Sequence, residues 1–248
     1  MQQEKMTRKV VLITGAARRI GAAVARHLHS NGMDIALHYR NSADEAEDLI
    51  EHLNKKRPGS AICIKADLAD ISNFSGMIAT IVDKLGHLDV LINNASSFYP
   101  TQIDQASESQ WDDLFASNAK GAFFLSQVAA PELAKTQGCI INITDTHAQN
   151  PLKDHTIYCM AKAALGMMTK SLAKELAPDV RVNAIAPGAI IWPENESELT
   201  ETNKTKIMSK TALNRSGSPI DIANAVLYFI ENAPYVTGQT LNVDGGRY

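Results

Sequence analysis

The sequence predicts a doubly wound α/β fold: one domain on a parallel sheet of seven strands, with helices on both faces. Short β-branched runs alternate with longer amphipathic stretches along the 248 residues. No proline- or serine-rich linker divides the chain, and no internal period marks a repeat. Hydrophobic residues at 45% and charged residues at 21% suit one substantial core and exclude disordered and collagen-like classes.

The first strand is VVLI (10–13), which runs through a glycine turn into a helix over 20–31. DIALHY (34–39) forms strand two, and Ser42 with Glu45 reads as a capping box opening a helix over 42–56. AICIKA (61–66) is strand three, a helix over 71–85 follows, and DVLIN (89–93) is strand four. A long helical pattern over 107–135 opens on a second capping box, Ser107 with Gln110. CIINIT (139–144) is strand five, a helix covers 154–177, and VRVNAIA (180–186) is strand six. Ser218 before Pro219 starts a last helix over 219–232, and TLNV (240–243) closes the sheet.

One segment interrupts this rhythm. Residues 189–215 are acidic-polar, contain Trp192-Pro193 and follow strand six. They read as a surface insertion or, because loops at the carboxyl ends of parallel strands border the ligand crevice, as a substrate-side lid.

A formal net charge of −3 gives no basic footprint for nucleic acid. Cys63, Cys139 and Cys159 are odd in number and lack C-x-x-C spacing, which argues against a disulfide framework or zinc ribbon. The seven histidines show no metal-ligand spacing, so no metal is expected. The polar start, with only four apolar residues at 10–13, lacks a signal h-region, and no apolar run reaches membrane-spanning length. A cytoplasmic protein with a short loose N-terminus and no membrane or nucleic-acid partner is expected.

Between strand one and its helix stand Thr14, Gly15, Arg18, Arg19, Ile20 and Gly21, in the pattern T-G-x-x-x-x-x-G. A glycine turn at a helix N-terminus offers free N–H groups and partial positive charge to a pyrophosphate. Strand two ends in HYRNS without the acidic residue that would hold a ribose 2′-hydroxyl. Arg40 and Ser42, with His38 and Tyr39 beside them, suit a 2′-phosphate instead, and Arg18 could reach it from the first turn. NADP(H) is therefore the expected cofactor, the lesser alternative being that Arg40 is a solvated surface charge. Asp67, followed by Leu68, could accept from an adenine amino group or cap a turn. Asn94, Ala95 and Ser96 follow strand four at the crevice edge.

After strand five the chain reads YCMAK, which puts Tyr158 and Lys162 on one helical face. A lysine ammonium close to a phenol favours phenolate and lowers its pKa, so Tyr158 is the expected proton donor and Lys162 its tuner. Lys162 could also hold the nicotinamide ribose.

The glycine turn, NNAS (93–96), YCMAK (158–162) and APG (186–188) together resemble the short-chain dehydrogenase/reductase family over essentially the whole chain. That resemblance implies a single Rossmann-type domain, commonly tetrameric, with Pro187 and Gly188 beside the cofactor. It implies an active site of Asn, Ser, Tyr and Lys, in which Asn118 of SNAKG matches the asparagine. The serine is absent: thirteen residues before Tyr158 stands Asp145. An ionised carboxylate repels a carbonyl oxygen gathering negative charge, which speaks against ordinary ketone reduction. It suits protonation of a C=N nitrogen better, unless Asp145 merely caps a turn while Thr144 or Thr146 supplies the hydroxyl.

These departures resemble one subfamily, the pteridine reductases, through Arg19 in place of the middle glycine, HYR after strand two, NNASSFYP (93–100), and Asp145 followed by HTIYCMAK (155–162). The resemblance implies hydride transfer from NADPH to a dihydropterin C=N bond, with Asp145, Tyr158 and Lys162 managing the proton. Phe98 would stack on the pterin, and Arg19 would contact both a cofactor phosphate and the substrate. Ser96 and Trp192 complete the expected substrate-binding set. A 3-oxoacyl or alcohol-type reductase, and a non-catalytic NADPH-binding sensor or scaffold, are the rival readings.

Overall fold

The computed structural model describes residues 8–190 and 208–247. Its strands are β1 (Val10–Ile13), β2 (Asp34–Tyr39), β3 (Ala61–Lys65), β4 (Val90–Asn93), β5 (Cys139–Ile143), β6 (Arg181–Pro187) and β7 (Thr240–Val243). They form one parallel sheet in the order β3-β2-β1-β4-β5-β6-β7. Every residue of β1, β2, β4 and β5 is buried, as a sheet covered on both faces requires.

Alternation along the strands divides the core in two. Val11, Ile13, Ile35 and Leu37 face α1 (Arg19–Ser30), α2 (Ala43–Lys56) and α7 (Pro219–Glu231). Val10, Leu12, Leu91 and Ile140 face α3 (Phe74–Leu85), α5 (Gly121–Lys135) and α6 (Thr156–Glu175). β1 lies between β2 and β4, so the winding direction reverses there and a crevice opens beyond the strands' carboxyl ends.

The seven strands match the sequence reading to within a residue at each end, but the helical stretch 107–135 does not remain one helix. It splits into α4 (Glu108–Phe115), a wide π-type turn (Ala116–Lys120) and α5. Apolar residues continue through the break, so periodicity gave no sign of it. The Ser107 and Gln110 capping box forms as expected. The Ser42 and Glu45 box does not: the Ser42 side chain makes no cap bond, and the Glu45 carboxylate lies 3.6 Å from the Arg18 guanidinium. The stretch read as one helix over 71–85 begins as a 3₁₀ turn, Ile71–Asn73, capped by Asp70. The expected loose N-terminus, Trp192 and most of 189–215 lie outside the described residues.

Candidate active site

Each strand that reaches the crevice delivers one group of predicted residues just past its last pair. β1 leads to Thr14 and Gly15, β2 to Arg40, β3 to Asp67, β4 to Asn94, β5 to Asp145 and β6 to Gly188. Together they border a cleft of about 1040 Å³.

The glycine turn is packed too closely for any other residue. A Cβ on Gly15 would lie 2.9 Å from Ala95 Cα, and one on Gly21 2.5 Å from the Gly15 carbonyl oxygen. Thr14 Oγ1 accepts from the Asn94 and Ala95 N–H groups, and Asn94 Nδ2 donates to the Thr14 and Gly15 carbonyls. β1 and β4 are thereby stitched together where the cleft begins. At the start of α1, Arg18 makes no side-chain cap bond and no acidic residue occupies the first turn. A helix N-terminus so arranged suits an anion, and the turn fits the phosphates of a dinucleotide.

Arg19 occupies the position of the missing middle glycine and keeps a glycine's backbone, with φ at +55°. A left-handed residue with a Cβ costs about 1–2 kcal/mol. Such strain persists where the surroundings impose it, commonly at binding sites.

At the far edge, Arg18 and Arg40 stand near Glu45 and Asp67 at 3.6 and 4.0 Å, and both arginines are about half exposed or more. Pairs this loose and exposed contribute little stability, so both cations remain open to a stronger anion. Asp67 Oδ1 also accepts from the Ala69 N–H at 3.0 Å, the turn-capping alternative.

His38 departs from its expected role at the 2′-phosphate. It is 2% exposed, Nδ1 accepts from the Gly15 N–H at 3.2 Å, and Nε2 donates to the Ala66 carbonyl at 3.1 Å. With both ring nitrogens committed to backbone, it has no N–H left for a phosphate.

At the other end, the Tyr158 hydroxyl donates to Asp145 Oδ2 at 2.6 Å, and Asp145 Oδ1 accepts from the His147 N–H at 2.8 Å. The carboxylate thus caps a 3₁₀ turn (Thr146–Ala148) and also reaches the phenol. Lys162 is 2% exposed and donates to the Ile143 carbonyl at 2.9 Å, its ammonium 5.8 Å from the Tyr158 ring centroid. Burial drives the Lys162 pKa down to about 8 against the pull of Asp145. Burial first, then the Asp145 charge, pushes the Tyr158 phenol well above its ordinary value, while the neighbouring Ser96 hydroxyl acts the other way. The phenol expected to be lowered by Lys162 is therefore raised here, because its nearest charge is negative and it is buried.

Asn118 sits in the π-type turn, 1% exposed, where Oδ1 accepts from the Ser96 hydroxyl at 2.6 Å and Nδ2 donates to the Ser97 carbonyl at 2.9 Å. Widening the helix by one residue turns this amide toward the loop after β4. That loop presents Phe98, 45% exposed, edge-on to Tyr158 with centroids 4.9 Å apart. The other partner of Phe98 is His155, stacked at 4.7 Å and 17°.

Of the sequence-predicted residues described, Gly15, Arg18, Arg19, Ile20, Gly21, Tyr39, Arg40, Ser42, Leu68, Asn94, Ala95, Ser96, Phe98, Asp145, Tyr158 and Gly188 line the cleft, with His38 and Asp67. Thr14, Asn118, Lys162 and Pro187 are set back from this lining. Sequence reasoning missed Asp113, Leu152 and Arg247 in the lining, which also includes His147 and His155. Arg247 and Asp113 carry no local pattern, whereas the proximity of His155 to Tyr158 was a usable signal. Among the described residues no group of three His, Cys, Asp or Glu could hold a metal, and no helix is long and apolar enough to cross a membrane. The three cysteines are free.

A family model described as enoyl-(acyl carrier protein) reductase matches residues 15–247. The chain is 36% identical over 247 residues to the 3-oxoacyl-[acyl-carrier-protein] reductase FabG of Staphylococcus aureus, covering 98% of this chain and 99% of that protein. It is 34% identical to pteridine reductase 1 of Leishmania tarentolae, covering 97% and 96%. Among solved structures, a blue fluorescent protein from a metagenomic library in complex with NADPH superposes with a TM-score of 0.89 at 32% identity, covering 96% of this chain and 97% of that one.

Proposed function

Because the chain belongs to the short-chain dehydrogenase/reductase family, and so is a nicotinamide-dependent oxidoreductase, we propose that it is an NADPH-dependent pteridine reductase. The observation that carries this reading is the carboxylate of Asp145 bonded to Tyr158 where ketone reduction calls for a neutral hydroxyl. Arg19, kept at a left-handed φ in a glycine's place, supports it as a residue retained for a ligand.

NADPH bound in the cleft would supply a hydride to the carbon of a substrate C=N bond. Arg19 and the start of α1 would hold its phosphates against the tight turn at Gly15, and Arg40 with Arg18 would take the 2′-phosphate. Phe98 gives a flat heterocycle an aromatic platform beside Tyr158. The Tyr158 proton passes to the nitrogen next to the reduced carbon, and the Asp145 carboxylate is positioned to hand Tyr158 a replacement from solvent. Lys162, anchored on Ile143, keeps a positive charge behind the phenol. The product is a tetrahydropterin, from a dihydrobiopterin- or dihydromonapterin-type substrate or from dihydrofolate.

Ala189 and Ile190 lead from β6 along the cleft wall. Large apolar side chains stay exposed on two separate surfaces, Phe123, Met160 and Met167 on α5 and α6, and Tyr228 and Leu241 on α7 and β7. Two-fold contacts through both would build a homotetramer, which light scattering can measure.

A 3-oxoacyl reductase is the second reading, favoured by the FabG relatives. One assay separates them: NADPH consumption with dihydrobiopterin, dihydromonapterin, dihydrofolate and a 3-oxoacyl thioester in parallel. Turnover of the thioester with none of any pterin would sink the pteridine reading.

A further inference from the structure

His38 grips the glycine turn twice. Its ring Nδ1 accepts from the Gly15 N–H, and its own carbonyl accepts from the next N–H, that of Ala16, at 3.0 Å. Through Nε2 the same ring holds the Ala66 carbonyl at the exit of β3. One imidazole thus joins the exits of β1, β2 and β3, the three segments that carry Gly15, Arg40 and Asp67 to the nucleotide end of the cleft.

The partners settle which form of the ring is present. A backbone N–H cannot accept and a carbonyl cannot donate, so the ring is neutral with its proton on Nε2. Burial supports this by holding the His38 pKa down to about 4; the Ala66 carbonyl and Asp67 act to raise it, and Arg40 to lower it. An imidazolium would present a proton to the Gly15 N–H and break the contact.

We propose that His38 is a positioning residue for the dinucleotide, fixing the left-handed turn at Gly15 so that the N–H groups beyond Ala16, at the start of α1, face the phosphates. Gly15 has φ at +61°, a conformation glycine can leave at little cost, so a second tether is what makes the turn a preformed receptor. This inference rests on the cofactor half of the proposed function and needs no pterin.

Two substitutions divide the ring's contacts. In His38→Asn the side-chain oxygen falls near the place of Nδ1 and can still accept from Gly15. In His38→Gln the amide reaches the place of Nε2 and can serve Ala66, but the Gly15 N–H loses its partner. NADPH dissociation constants, read by fluorescence, should rise about tenfold in His38→Gln and stay within about twofold in His38→Asn, since one such bond is worth about 1–1.5 kcal/mol. Melting temperatures should fall similarly in both, which separates positioning from general stability. Unchanged affinity in His38→Gln, or an equal loss in His38→Asn, would overturn the proposal. Nitrogen NMR of the unsubstituted protein gives an arm independent of variant folding: at neutral pH the His38 proton should sit on Nε2, and a proton on Nδ1 would overturn the role. Failure of the unsubstituted protein to bind NADPH would overturn the cofactor reading with it, whereas tight binding that neither variant disturbs would overturn His38 alone.

Discussion

The Tyr158 hydroxyl lies 2.6 Å from Asp145 Oδ2, so the phenol is anchored on a carboxylate. Exchanging that carboxylate for the hydroxyl of ordinary ketone reducers should change what the site reduces. Asp145→Ser should lower dihydropterin turnover about 10²-fold, the scale of a displaced general-acid apparatus. Turnover of a 3-oxoacyl thioester should rise. Parallel steady-state assays check it, and a parallel fall on both substrates would refute the discriminating role.

Tyr158→Phe keeps the ring against Phe98 and removes only the hydroxyl. Turnover should drop by about 10²–10⁴-fold with NADPH affinity nearly unchanged. Single-turnover rates beside a binding titration make the comparison, and a near-normal rate would mean that another group is the acid.

Arg19 gives opposite signs for stability and activity. Replacing it with glycine relieves a left-handed φ worth about 1–2 kcal/mol, against an unfolded-chain penalty of about 0.4–1 kcal/mol. Arg19→Gly should therefore melt about 2 °C higher and bind both NADPH and pterin more weakly. A lower melting temperature would show that side-chain contacts outweigh the backbone strain.

The seven strands were legible because short β-branched runs alternate with helical stretches, and a parallel sheet brings the ends of those runs to one crevice. What could not be read depended on contacts distant in sequence. His38 looked like a phosphate ligand because the sequence does not show that Gly15 and Ala66 take both its nitrogens. Lys162 and Tyr158 were rightly paired on one helical face, but the sign of the effect on the phenol depended on burial and on a carboxylate thirteen residues upstream. Glu45, read as a capping partner, faces an arginine from another helix instead.

Arg40→Ala should weaken NADPH by about 10–100-fold, the worth of a charge-assisted bond of about 1.5–3 kcal/mol, and leave NADH almost unchanged. Equal losses for the two dinucleotides would mean that Arg40 remains committed to Asp67, 4.0 Å away.

The pH profile should report Lys162. Its buried ammonium has a pKa brought down to about 8, whereas the Tyr158 phenol is raised and stays protonated. The charge behind the phenol is present below that value and lost above it, so kcat should decline on the alkaline side with an apparent pKa near 8. A plateau extending to the ordinary lysine range would assign the limb to another group.

The wide turn at Ala116–Lys120 also sets an angular phase. Each residue of an α-helix advances the chain by about 100°, so the extra residue in this turn rotates everything after it relative to α4. Deleting one residue there would restore a regular helix, but α5 would emerge turned by about a quarter of a circle or more. Asn118 would swing away from Ser96, and Leu125, Ala129 and Leu133 would leave the core they now fill. One irregular turn therefore fits both the loop that carries Phe98 and the packing of α5 beneath the sheet, and neither can be retuned by length without disturbing the other.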